Sequence, residues 1–328
     1  MQSLYPFIFQ PLFKEKVWGG QKIREILGMD FSPLPNCGEA WLLSGVEGNN
    51  TFLKNGFLGG NELNELVEIY MDELVGESVY ERFGNEFPIL VKIIDARQWL
   101  SIQVHPGDEL ARARGLSGGK TEMWYIMDAD PGAELIAGFR RNTNPAEYQL
   151  LLQEKRLMEI LNVEKVSKGD VFYMPSGRIH ALGPGTLLAE IQQTSDTTYR
   201  IYDWDRTGEN GTPRELHLKE ALDAIDYNSY TDYRTGYHPE PGKTTHLLAT
   251  PYFSTNLMTL STAIEKDYSY IDSFVILLPA EGRIEVQTPQ GTYPLKAGEA
   301  MLLPAISEKV TLNPLVNSVI LETYMDLP

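Results

Sequence analysis

The sequence predicts a mainly β protein: two related β-barrels, with helical insertions in the N-terminal part. Three observations carry this prediction. Short runs rich in β-branched and aromatic residues recur between Gly, Pro and Asn punctuation along most of the chain. Many short strands with such turns specify a sandwich or barrel, not a parallel sheet with crossover helices. The stretch "VSKGDVFYMPSGRIHAL" also finds an echo in "PLKAGEAMLLPAISEKV": a glycine, an acid, a strand, then Met or Leu before Pro. Only the first copy carries a histidine, His180, so one barrel reads as equipped and the other as bare.

Taken in order, "EAWLLS" and "FPILVKIIDA" are β-rich and bounded by Gly, Asn and Pro. Between them, Leu63, Leu66, Val67, Tyr70 and Leu74 recur at i, i+3, i+4 spacing, predicting a helix over 61–84 with Asn61 as its cap. "SIQVH", "EMWYIM" and "AELIAGF" then read as strands, followed by a helix from 144 to 161 that opens with Asn144 as cap and Pro145 at its first position. "DVFYM", "TLLAEIQQ" and "TTYRIYDW" complete the first set of strands, and "PRELHLKEALDAI" adds a helix after Pro213. Residues 227–244, rich in Tyr, Gly and Pro without periodicity, read as a linker. Seven further strand-like runs fill the remainder, giving domains 1–230 and 231–328.

Composition narrows the function. The chain has 328 residues, 42% hydrophobic and 22% charged, ordinary for a soluble globular protein. No apolar run is long enough to span a membrane. The start lacks the pattern of a secretory leader and Cys37 is the lone cysteine, so a reducing cytoplasm is expected. A net charge of −17 repels polyanions and argues against nucleic-acid binding. An anionic small substrate would need a local Lys and Arg cluster to override that field. Nothing in the pattern specifies an oligomeric state.

Chemistry concentrates in three segments. In "SIQVHP", Gln103 and His105 lie two apart and share a strand face, and Pro106 ends the ladder. If that face is interior the pair needs partners, which a metal would supply; an edge strand with both in water is the plainer alternative. In "GGKTEMWYI", Glu122 opens an apolar strand with Lys120 two positions earlier, either a metal-ligand carboxylate or half of a surface ion pair. In "GDVFYMPSGRIHALGPG", Gly169, Pro175, Gly177 and His180 follow the spacing G-x5-P-x-G-x2-H. Glu190 and Gln192 share a face in "LLAEIQQ", and Arg200 alternates with Tyr199 and Ile201. Arg200 therefore faces a polar cavity if those two are buried, or pairs with Asp196 or Asp203. Lys92 sits inside an apolar run, snorkelling to the surface or facing an anion. His217, His238 and His246 lack ligand spacing, and Cys37 has no activating neighbour.

The glycine, proline and histidine spacing matches the second motif of cupin barrels at every fixed position. The first cupin motif is altered, with Gln103 in place of its first histidine and Glu122 seventeen residues after His105. "LSIQVHP", "GKTEMWYI" and "GRIHALGPG", with "VWGG", "GEAW", "FPILVKIIDA" and "AEIQQTSDTTYRIYDWDR", resemble the phosphomannose isomerases, in particular their shorter bacterial members. The resemblance is dense from 4 to 206 and loose beyond. It implies one zinc ion per chain held by His105, Glu122 and His180, with Gln103 as fourth ligand and the position least secured by ligand chemistry. Two imidazoles, a carboxylate and an exchangeable position make a catalytic site. It also implies Arg200 in the active site, Lys92, Lys120, Glu190 and Asp196 around the cavity, and Trp18 at its mouth.

The expectation is an enzyme interconverting mannose 6-phosphate and fructose 6-phosphate through a cis-enediol. Residues 1–230 would form the metal-binding catalytic barrel and 231–328 a metal-free one. Arg200, Lys120 and Glu190 would serve the chemistry, and Lys92, Trp18 and Asp196 the substrate. A non-catalytic cupin that binds a sugar phosphate, and a cupin oxygenase using iron, are the competing readings.

Overall fold

The computed structural model describes residues 3–207 and 211–327. It is mainly β, with sheets of seven, six, five and four strands. Two compact units separate, neither continuous in sequence: Met1–Leu12, Ala40–Lys92 and Gly236–Pro328 form one, Phe13–Glu39 and Ile93–Thr235 the other. This partition differs from a single cut at 230/231. Strand pairing explains the difference: Phe7–Gln10 pairs antiparallel with Met301–Leu303, with Phe7 opposite Leu302, and on its other side with Phe52–Leu53. Among the described residues no helix is long and apolar enough to cross a membrane.

In the first unit the seven-stranded sheet runs Thr244–Ala249, Ser254–Leu260, Ser318–Tyr324, Val275–Glu281, Met301–Leu303, Phe7–Gln10 and Phe52–Leu53. A four-stranded sheet runs Ile264–Asp267, Lys309–Pro314, Arg283–Thr288 and Gly291–Lys296. Met258, Leu277, Val286, Leu312 and Ile320 form the core between them, all fully buried. The predicted helix is present but divided, Leu63–Val75 and Glu77–Phe83. Glu62, not Asn61, caps it, through a reciprocal box with Glu65. Gly76 causes the break: its φ is 95°, and a Cβ there would lie 2.5 Å from the Asp272 carbonyl oxygen. The Asp272 carboxylate then accepts the Glu77 and Ser78 backbone N–H groups at 2.7 and 2.8 Å, capping the second helix.

In the second unit Val171–Met174, Glu122–Ala129 and Thr186–Gln193 are consecutive antiparallel strands of the six-stranded sheet. The five-stranded sheet runs Tyr199–Tyr202, Ile102–Val104, His180–Leu182, Glu134–Phe139 and Leu161–Lys165. Trp124, Ile126 and Leu188 of the first share one core with Leu135, Ala137 and Leu182 of the second, so these faces look at each other. On the reverse face of the five-stranded sheet, Ile102, Val104, Ile136 and Ile201 pack under the helix Pro145–Gln153. Asn144 caps that helix by accepting Glu147 N–H at 3.0 Å. It ends earlier than the apolar spacing suggests because Lys155 turns left-handed at φ 58°, which brings Leu157 and Ile160 back onto Tyr148 and Leu151. The helix after Pro213 is shorter too, Leu218–Ala224.

Two other expectations meet the structure here. Residues 227–235 are no free linker: Tyr233 is buried and donates its hydroxyl to the Phe139 carbonyl at 2.7 Å. The internal repeat is structural at a constant offset. Gly169 and Gly298 both have positive φ, at 91° and 85°, ahead of strands Val171–Met174 and Met301–Leu303. Arg178 N–H then bonds to Pro175 O as Ser307 N–H bonds to Pro304 O, and Lys309 stands where the first copy has His180.

The cap on the second helix is directly measurable. Asp272→Ala is expected to lower unfolding stability by about 1 kcal/mol in urea titration near neutral pH. Its backbone hydrogen bonds hold the Asp272 carboxyl below the ordinary aspartate value even against the opposing effect of burial. The carboxylate therefore stabilises the fold above the unfolded pKa, and its contribution is lost as pH falls through the lower folded value. The gap between variant and parent should accordingly close below about pH 4.

Candidate metal centre and active site

The five-stranded sheet sets out a polar row. Arg200 stands opposite Gln103 and Gln103 opposite His180, so three polar side chains share the face turned away from Ile102 and Ile201. Tyr199 and Ile201 are buried, which leaves Arg200 on the polar side as the alternation requires. On the six-stranded sheet Glu122 stands opposite Gln192 and Trp124 opposite Glu190, a second row of like kind. His105 follows the strand Ile102–Val104, and its carbonyl accepts Gly177 N–H at 2.9 Å. That bond ties the end of one motif to the turn of the next.

His105, Glu122 and His180 converge. One ligand atom from each lies within 4.8 Å of the others, and all three residues are at most 2% exposed. His105 Nε2 is 3.5 Å from Glu122 Oε2, and His180 Nε2 is 3.3 Å from Glu122 Oε1. Each Nδ1 faces a backbone carbonyl at 2.9 Å, Thr197 for His105 and Arg178 for His180. A carbonyl only accepts, so both protons sit on Nδ1 and both Nε2 atoms present lone pairs. Burial, reinforced by the charges of Lys120 and Arg178, pushes His180 down to about 4, so the ring is neutral at physiological pH. Its Nε2 has no hydrogen-bond partner among the described residues.

Lys120 occupies the same hollow. Its ammonium lies 3.2 Å from Glu122 Oε2 and 3.2 Å from His105 Nε2. An ammonium has no acceptor, which independently assigns His105 Nε2 as the lone-pair atom. Burial alone would depress the lysine, but Glu122, Glu190 and Glu39 outweigh it and hold the ammonium above the ordinary lysine value. Neutral imidazoles with lone pairs aimed inward, a carboxylate between them and exclusion of water together fit a divalent cation. The carbonyls on Nδ1 are the orienting partners such a site requires.

The remaining expected residues fall as follows. Glu190 is buried and accepts the Trp124 indole N–H at 2.8 Å, while Trp124 meets the His180 ring edge-on at 5.3 Å. Asp196 is exposed and does not pair with Arg200. Asp203 pairs instead with Arg206 and Arg214. Trp18 is a core residue, packed with Trp124 and Phe172. Lys92 belongs to the first unit, buried, with its ammonium 4.9 Å from the Trp41 ring centroid.

Sequence reasoning missed the arginines around Asp203. Burial opposes ionisation of Asp203, yet hydrogen bonds from Arg214 and Arg206 hold it below the usual carboxylate range. Arg200 lies close enough that, after burial, the charges of Arg214 and Arg206 lower its own affinity for a proton. Three guanidiniums gather near Asp203, with Glu215 the other carboxylate that acts on Arg200, and Arg200 Nε and Arg206 Nη1 are buried without hydrogen-bond partners among the described residues. The run of charges in "DWDR" was the available signal. His217, expected to have no role, accepts the Arg200 backbone N–H on Nδ1 at 3.1 Å and donates its backbone N–H to Arg200 O at 2.7 Å.

Comparison with known proteins agrees with this picture. The family described as phosphomannose isomerase type I, catalytic domain, matches residues 7–135, and the mannose-6-phosphate isomerase cupin domain matches 243–319. The chain is 38% identical to mannose-6-phosphate isomerase ManA of Bacillus subtilis, over 91% of this chain and 93% of that protein. To the mannose-6-phosphate isomerase of Streptococcus mutans it is 35% identical, over 91% and 92%. The solved structure of the mannose 6-phosphate isomerase from Bacillus subtilis superimposes with a TM-score of 0.88 at 32% identity, covering 98% of this chain and 99% of that one. Identity at this level over nearly the full length of both partners places the chain in the type I phosphomannose isomerase family.

Proposed function

We propose that the chain interconverts mannose 6-phosphate and fructose 6-phosphate, using one zinc ion held by His105, Glu122 and His180. The observation that carries this reading is the convergence of two Nε2 lone pairs on a buried carboxylate. Gln103, directly across the strand pair from His180, is the natural fourth donor. We read the fold as a pair of cupin barrels, of which the second lacks ligands, as its Lys309 in place of a histidine supports.

The reaction moves a proton from C2 to C1 of the open-chain sugar, while the O2 hydroxyl proton passes to O1. Zinc, when bound, polarises the sugar oxygens as a Lewis acid. Glu190 is assigned the carbon-bound proton: its carboxylate lies buried on the face it shares with Trp124 and Glu122. Lys120, kept charged by its acidic neighbours, stabilises negative charge developing on the sugar oxygens. Arg200 stands two strands from His180, roughly 10 Å away by strand spacing. With Arg206 it supplies donors for the substrate phosphate, their buried Nε and Nη1 groups standing without partners among the described residues in a chain whose overall charge is −17.

Incubating the purified chain with mannose 6-phosphate tests the reading. Fructose 6-phosphate should form, chelation should stop it, and zinc should restore it. A chain that binds the sugar phosphate without turnover would be the sensor instead, and oxygen consumption with iron would indicate the oxygenase. His105→Ala and His180→Ala should each abolish stoichiometric zinc together with turnover. Full zinc content in the double substitution would remove these ligands from the account.

Arg206→Ala separates the two ends of the substrate. Losing a charged hydrogen bond should raise KM about tenfold or more while zinc content stays at one per chain. Inhibition by inorganic phosphate should weaken in parallel. An unchanged KM would take Arg206 out of substrate binding.

A further inference from the structure

We infer that Tyr230 and Tyr233 form an aromatic clamp on Arg178 that positions His180 for the metal, an inference that rests on the metal-centre reading above. The Arg178 carbonyl is the group that accepts His180 Nδ1–H at 2.9 Å. Wherever that carbonyl points, the imidazole must follow, because it selects both the tautomer and the ring direction. It belongs to a turn with a weak point. Gly177 has φ 89°, a conformation that favours glycine and gives the turn no side chain of its own to hold it.

Five contacts supply what the turn lacks. Gly177 N–H bonds to His105 O at 2.9 Å, and Gly177 O accepts Asp226 N–H at 2.8 Å. The Arg178 guanidinium lies over two rings, 5.0 Å from the Tyr230 centroid and 5.1 Å from the Tyr233 centroid. Its Nη1 also donates to the Tyr173 carbonyl at 2.6 Å, on the strand that precedes the turn. The two tyrosines meet edge to face at 6.1 Å, so the guanidinium sits in the corner they make.

The clamp is itself anchored. Tyr233 donates to Phe139 O at 2.7 Å and accepts Tyr230 N–H at 3.1 Å. Tyr230 donates to the Asp226 carboxylate at 2.6 Å, the residue whose backbone holds Gly177. The segment then closes on the sheet, where Thr235 N–H bonds to Val171 O at 2.8 Å. Residues 226–235 thus frame the motif turn from Val171 to Gly177. Tyr230 is 48% exposed, which is a poor return for a residue whose purpose is core packing but suits a ring presented to a cation.

Tyr230 and Arg178 are positioning residues, since neither is among the three residues whose ligand atoms converge. The test uses the whole chain and zinc alone, measured by competition with a chromogenic chelator. The parent chain must bind one zinc that His180→Ala abolishes; failure there overturns the metal reading and leaves the clamp without an object. Given that binding, Tyr230→Leu and Arg178→Met should each weaken zinc affinity about tenfold, the lower end of the range for orienting partners. Tyr230→Phe keeps the ring over the guanidinium but gives up the bond to Asp226, and should fall between the parent and Tyr230→Leu. Nitrogen-15 NMR of the metal-free chain gives a readout that general packing would not move. His180 should show a single Nδ1–H tautomer in the parent and a mixture in Tyr230→Leu. Folded Tyr230→Leu protein with parental affinity and one tautomer would overturn the proposal.

Discussion

Two backbone carbonyls govern the site. Thr197 O and Arg178 O each take the Nδ1 proton of one histidine, so both Nε2 lone pairs turn inward on Glu122. Side chains alone would not achieve this, because a neutral imidazole exchanges tautomers freely in water. Burial removes the water, and the carbonyls remove the choice. The arrangement costs stability in the absence of a cation, since a neutral ring and a carboxylate are buried close together. Lys120 offsets part of that cost by placing its ammonium against both His105 and Glu122. A metal ion held by His105 Nε2 would take the lone pair that this ammonium faces at 3.2 Å.

The β architecture serves this constraint through simple alternation. Ile102, Val104, Tyr199 and Ile201 pack with the helix Pro145–Gln153, and Gln103 and Arg200 between them face away from it; a bulge after Arg200 returns Tyr202 to the apolar side. One face therefore provides a dry support and the other a polar row from Arg200 through Gln103 to His180. The row has different chemistry at its two ends, with arginines gathered around Asp203 at one and lone pairs at the other. A phosphorylated sugar has the same polarity, an anion at one end and oxygens that want a Lewis acid at the other.

Much of this was legible in the amino-acid sequence, for physical reasons. Strand alternation put Gln103 with His105 and Arg200 opposite Ile201, and the spacing from Gly169 to His180 specified a turn that only glycine and proline make easily. What stayed hidden involved groups without a side-chain signature. Carbonyls of Thr197 and Arg178 carry no letter of their own, and Asp272 capping a helix some 195 residues away leaves no local pattern. Residues 227–235 looked like a linker because rings that pack in irregular backbone have no period. The pairing of Phe7–Gln10 with Met301–Leu303 joins the two extremes of the chain, so no boundary drawn along the sequence could match the units.

X-ray absorption at the zinc edge of the loaded chain tests the central claim most directly. The account predicts a first shell of nitrogen and oxygen at about 2.0–2.1 Å, with the outer-shell scattering of two imidazole rings. A shell without imidazole scattering, or one containing the sulfur of Cys37, would contradict it.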